Sequence, residues 1–151
     1  MLEATGNLWT HQPADVRIIT TNGAWAGEGA RLHAVMGRGV ALQAAERWPE
    51  LPRRFAGLLQ QYGNRPMRLM PLEDGGWLVS LPVKRHWRER ANMQLIRYSC
   101  RTLVEMADKF GWQHVVLPEP GTGNGGLTWY GQVAPIVTRI LDDRFTVVHR
   151  R

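Results

Sequence analysis

The chain has 151 residues, enough for one domain that buries roughly 70% of its unfolded surface without disulfide or metal staples. Its 44% apolar content is that of an ordinary globular protein, and its single cysteine excludes both an internal disulfide and a cysteine-built zinc site. The net charge of +6 favours an anionic partner such as a nucleotide, a nucleic acid or phosphate, and 17 of the 19 basic residues are arginine. Only Lys84 and Lys109 are lysines. A lysine in a motif therefore stands out, because it can release a proton that arginine keeps.

In chain order, Leu2 to Thr5 reads as a short strand, followed by Gly6-Asn7-Leu8-Trp9. Val16 to Thr20 is a continuous apolar and β-branched run, the pattern of a buried central strand. The stretch from Gly23 through Met36 is rich in Gly and Ala and reads as a long loop, a feature often tied to function. Gly37-Arg-Gly39 opens a helix with Val40, Ala41, Ala44, Ala45 and Trp48 on one face, ended by Pro49. A second helix spans Leu51 to Tyr62 and closes at Gly63-Asn64.

Met67 to Met70 and Trp77 to Leu81 form a hairpin around Glu73-Asp-Gly-Gly76. Pro82 to Arg88 is a basic loop. Ala91 to Phe110 holds the clearest helical period, through Ile96, Cys100, Leu103, Ala107 and Phe110, and Gly111 ends it. His114 to Leu117 is a buried strand, Trp129 to Leu141 a helix striped by Val133, Ile136, Val137, Ile140 and Leu141, and Phe145 to His149 the last strand. Strands alternating with helices predict an α/β fold: a single three-layer α/β/α domain over residues 1–151 with a central mixed sheet of about six strands. Ligands in such folds sit beyond the carboxyl ends of the strands.

Two glycine loops mark that edge. Gly121-Thr-Gly-Asn-Gly-Gly126 satisfies the letters of the dinucleotide fingerprint, but it lies in the last strand-helix unit, with no chain left for a second nucleotide-binding half. It is better read as a phosphate cradle, in which glycines turn several backbone N–H groups toward one point. Gly37-Arg-Gly39 is a second loop of the same kind, and together they present donors for both phosphates of a diphosphate. Between them, Lys84 sits just past a strand end, placed to act as a nucleophile when neutral or to polarise a leaving group when charged. Trp87 either stacks on a base or fills core. Asn22 ends the central strand, as a ribose ligand or as a turn residue. No metal-ligating motif is present.

Three segments together resemble a macrodomain: Asn22 with Val35-Met-Gly-Arg-Gly-Val-Ala-Leu-Gln43, Leu81 to Arg88, and Gly121 to Trp129. Within that family the chain is most similar to the branch that joins the DNA ADP-ribosyl glycohydrolases of DarT/DarG systems with the terminal ADP-ribose protein glycohydrolases. The resemblance implies an ADP-ribose cleft, with ADP-ribose as ligand or product and no cofactor. Gly37, Gly39 and Val40 would line one side of the diphosphate and the distal ribose. Thr122, Gly123, Asn124, Gly125, Gly126 and Leu127 would wrap the other. Asn7 and Leu8 would read adenine, Asn22 would touch the distal ribose, and Lys84 would be catalytic. Asn7 stands where the family usually has aspartate, which removes a charge-assisted bond. Gly125 stands where protein-deribosylating relatives carry an aspartate, which disfavours ester cleavage on protein. The expected partners are ADP-ribosylated DNA and a DarT-like toxin, with no membrane partner; the expected state is a monomer in the cytoplasm.

Overall fold

The computed structural model describes residues 1–150. The strands are β1 (Leu2–Thr5), β2 (Val16–Asn22), β3 (Trp25–Ala26), β4 (His33–Ala34), β5 (Arg68–Pro71), β6 (Trp77–Lys84), β7 (Val115–Leu117) and β8 (Phe145–His149). The α-helices are α1 (Gly39–Arg47), α2 (Leu51–Tyr62), α3 (Met93–Phe110) and α4 (Ala134–Val137). Six strands form one mixed sheet in the order β1-β8-β7-β2-β6-β5, with only β5 antiparallel to its neighbour. The expected three-layer arrangement is what forms.

Two cores, one per face, explain the layering. Ile18, Val79, Leu81 and Val83 pack under α3 and α4 with Ile96, Cys100, Leu103, Val133 and Val137. Ile19, Leu69 and Leu78 pack on the opposite face against Ala44, Leu51, Phe55 and Leu59 of α1 and α2. Successive strand residues point to opposite faces, so the adjacent Ile18 and Ile19 anchor different layers. That is why β2 reads as a run of apolar residues rather than an alternation. Cys100 is fully buried among these side chains, and burial pushes its thiol up to about 12.

Local signals set most boundaries. Asn92 caps α3 by accepting from the Leu95 N–H at 3.0 Å, and Gly111 ends it in a left-handed conformation at φ 71°. Arg17 is the exception within the apolar run of β2. It is buried, and its Nη1 donates to the Leu8 and His11 carbonyls at 2.6 and 2.9 Å, which ties the segment after β1 to the interior strand β2.

Three segments differ from the sequence expectation. Residues 23–36 are not a plain loop: β3 and β4 pair as a separate two-stranded ribbon joined by a 3-10 turn at Gly29–Arg31. The strand expected to stop at Leu81 continues to Lys84, paired with β2 through a bulge that skips Val83, so that Lys84 lies opposite Asn22. The expected helix from Trp129 to Leu141 is a π-type turn, Trp129–Val133, followed by the single-turn α4. Pro135 has no N–H to continue an i→i−4 ladder. The neighbouring donors instead reach back five residues, from Val133 to the Thr128 carbonyl and from Ala134 to that of Trp129. Among the described residues, no helix is long and apolar enough to cross a membrane.

Candidate functional site

A cavity of about 530 Å³ opens beyond the carboxyl ends of β2, β6, β7 and β8, the edge where such sheets hold ligands. Its floor is Thr20, Thr21, Val83 and Pro118, and its two facing walls are the glycine loops. The first wall is Gly37, Arg38, Gly39 and Val40, at the start of α1. No side chain caps that helix, so the donors of its first turn are free for an acceptor of another kind. The second wall is Gly121 to Gly125. The walls approach closely: a Cβ on Gly39 would lie 3.8 Å from the Asn124 side-chain nitrogen.

Neighbouring chain builds the second wall. A Cβ on Gly121 would come within 2.7 Å of Ile96 and 2.9 Å of Ala91, and φ there is +78°, so only glycine fits. The Ala91 N–H donates to the Gly125 carbonyl at 2.9 Å, and Arg90 Nη2 donates to the Gly126 carbonyl at 2.7 Å. The loop after Gly121 turns through a short 3-10 element, Gly123–Gly125, and no α-helix follows it directly. A helix dipole therefore contributes at the first loop and not at the second, a correction to the symmetric cradle expected from the glycine pattern.

Lys84, at the last position of β6, lies on the cavity wall between the two loops. Its Nζ donates to the Trp87 carbonyl at 3.3 Å. Partial burial lowers its pKa, the Arg38 charge lowers it further, and Glu89 opposes both. Trp87 also lines the cavity and stays 42% exposed, so it is a rim residue and not core. The His86 ring stacks on Trp87 at 5.4 Å, and the Arg88 guanidinium lies 4.7 Å from the Trp87 ring centre.

The remaining expected site residues divide. Asn7 and Leu8 line a neighbouring cavity that shares Val40, Pro118, Val148 and Arg150 with the first, so the two form one continuous cleft. The Asn7 side-chain oxygen accepts from the Trp9 N–H at 2.7 Å. Asn22 is not on the wall: its carboxamide accepts from the Ala24 N–H at 2.9 Å and donates to the Val35 carbonyl at 3.2 Å, tying the β3–β4 ribbon to β2. Gly126 and Leu127 lie behind the second wall, with Leu127 packed on the main core.

Thr21 and Glu119, on the cavity, and His149, outside its lining, escaped the sequence reading. Thr21 Oγ1 is buried, faces no hydrogen-bond partner within the protein and belongs to the cavity floor. A buried hydroxyl without a partner is costly, which is the condition a polar ligand relieves. Glu119 lines the cavity and accepts from the Thr122 hydroxyl at 3.1 Å. His149 bonds Glu119 at 2.7 Å and Glu3 at 2.8 Å. A glutamate after Leu117-Pro118 and a histidine in the last strand carry no motif, so only the fold brings them together.

Comparison with known proteins supports this architecture. No family model matches the chain. The macrodomain of Thermus aquaticus DarG superposes with a TM-score of 0.76 at 24% identity, covering 99% of this chain and 97% of that one. The chain has the macrodomain fold. A structure of Thermosipho africanus DarTG in complex with ADP-ribose matches with a TM-score of 0.74 at 22% identity, over 91% of this chain and 38% of that one. The DNA ADP-ribosyl glycohydrolase of Thermus aquaticus is 29% identical over 100 residues, which are 63% of this chain and 28% of that protein. The macrodomain thus spans just over a quarter of the length of that curated relative.

Proposed function

We propose that this macrodomain binds ADP-ribose and hydrolyses it from a modified macromolecule, preferably DNA, with Lys84 as the chemical group. The observation that carries the reading is the Lys84 amine on the wall of a cleft between two glycine loops. The loops' backbone donors take the diphosphate, and the cleft beyond Val40 and Pro118 takes the adenosine half. The distal ribose then lies toward β6, with its anomeric carbon beside Lys84.

There the amine acts in one of two ways. Neutral, it attacks the anomeric carbon and displaces the linked group, which takes up the proton the amine loses, and water then frees the ribose and the amine; charged, it donates a proton to the departing atom while water attacks the anomeric carbon. Burial and Arg38 both favour proton loss, which suits the first role. The DNA preference is supported by Trp87, half exposed at the rim beside Arg85 and Arg88, an aromatic and cationic surface suited to a base and its phosphates. The similar Thermosipho africanus protein is named a DNA ADP-ribosyl transferase-DNA ADP-ribosyl glycohydrolase fusion. By that likeness a transferase is the partner whose modification this chain would reverse.

The test is Lys84→Ala, assayed on ADP-ribosylated DNA and protein alongside calorimetry with free ADP-ribose. Release should fall by at least about a hundredfold while affinity stays within about threefold. Full turnover by the variant would overturn the role of Lys84. Binding without turnover by the unmodified chain would make it an ADP-ribose reader instead. If the amine attacks as a neutral group, the rate should rise with pH through the lysine's lowered pKa; if it acts as an acid, the rate should fall.

A further inference from the structure

One polar array lies outside the chemistry described so far. His149, near the end of β8, holds Glu119 at 2.7 Å through Nδ1 and Glu3 at 2.8 Å through Nε2. Each carboxylate has a further donor. The Thr122 hydroxyl bonds Glu119 at 3.1 Å, and the Trp129 indole N–H bonds Glu3 at 3.3 Å. The Trp129 ring also meets the imidazole edge-on at 5.2 Å. Thr122 lies near the start of the second glycine loop, and Trp129 opens the π-type turn that follows it. The array therefore ties the start of that loop and the turn beyond it to the edge of the sheet.

We propose that His149 is a positioning residue which, through Glu119 and Glu3, holds the second glycine loop in its ligand-binding form and loosens it when the imidazole loses a proton. The chemistry follows from counting donors. An imidazolium has two N–H groups and satisfies both carboxylates, whereas a neutral ring has one and must turn a bare nitrogen toward the other. One leg of the brace then opens. The charged groups facing the ring are Glu3 from β1 and Glu119 from the loop after β7, with Arg150 the next residue beyond the end of β8. Burial disfavours the charged ring, but the bonds to the two glutamates outweigh it, and the pKa stands above its ordinary value. The opening therefore falls above pH 6.5.

This inference rests on the ADP-ribose reading, and one set of measurements separates the two. Calorimetry with free ADP-ribose should show affinity falling about fivefold between about pH 6 and about pH 9. His149→Gln should bind weakly across that range, matching the unmodified chain at high pH. Glu119→Gln supplies an amide N–H to a neutral imidazole while its oxygen still accepts from Thr122, so it should retain at high pH the binding that the unmodified chain loses. A merely structural role would give no such rescue. Should His149→Gln fail to fold, nitrogen NMR of the His149 ring in the unmodified chain serves instead: saturating ADP-ribose should raise its pKa, and an unchanged value overturns the proposal. Equal affinity of His149→Gln and the unmodified chain at both pH extremes also overturns it. If the unmodified chain fails to bind at pH 6, the ADP-ribose reading falls. Hydrogen exchange of the amides from Thr122 to Trp129 then tests the brace alone, with pH-independent exchange protection of the loop, after correction for the intrinsic rate, refuting it.

Discussion

The two glycine loops look alike in sequence and are held by different means. The first leads straight into α1, and its shape follows from local backbone: an extended Arg38, then a left-handed Gly39 at φ 56° that is the first of the nine residues of α1. The second takes its shape from elsewhere in the chain. Ala91 and Ile96 press on Gly121, Ala91 and Arg90 bond its carbonyls, and Glu119 and Glu3 hold its start and the turn that follows it. A loop set by its own residues depends little on its neighbours. A loop set by its surroundings fails wherever any of them is disturbed.

Substitutions at matching positions should expose that difference. Gly121→Ala combines a positive φ with contacts of 2.7 and 2.9 Å to buried side chains. It should cost about 3 kcal/mol in a urea titration and abolish ADP-ribose binding. Gly39→Ala carries a similar φ but meets nothing closer than 3.8 Å, so about 1 kcal/mol is expected, with binding weakened rather than lost. Equal costs at the two sites would remove the distinction.

Between the loops, Thr21→Val should leave stability unchanged or slightly higher, because it removes a buried hydroxyl that has no partner. The same change should weaken ADP-ribose about fivefold in calorimetry. Undiminished affinity would mean that the hydroxyl does not face the ligand.

The smallest expected effect is on stability against pH. His149 has a folded pKa above its unfolded value of 6.5. Its stabilising contribution is therefore complete below the unfolded value and lost as pH rises through the folded one. Thermal unfolding of the unmodified chain should show this decline, and His149→Gln should flatten it.

How much of this was legible in the sequence follows from the distance over which each signal acts. α3 carries its own cap, apolar stripe and terminating glycine within one stretch, and it forms where expected, two residues later at its start. The glycine loops and Lys84 were legible because the first loop opens a helix, while the second loop and Lys84 follow recognisable strands. The segment after Trp129 misled because its apolar stripe is genuine, with Val133, Val137 and Leu141 buried, while Pro135 denies it a continuous helix. Asn22 was read from its position at a strand end, whereas its side chain bonds the β3–β4 ribbon, which no local pattern announces. Glu3 and His149 stand 146 residues apart, so no local pattern connects them.

The buried Cys100 has a practical consequence. With its thiol pushed up to about 12 and its surface sealed by α3 and the sheet, it stays a thiol at ordinary pH and is closed to reagents. Thiol-reactive dyes should ignore it, so the native chain already serves as a blank background for site-specific labelling. A cysteine placed at Tyr130, which is 83% exposed and adjoins the second glycine loop, would then report that loop's motion by fluorescence without any other change to the protein.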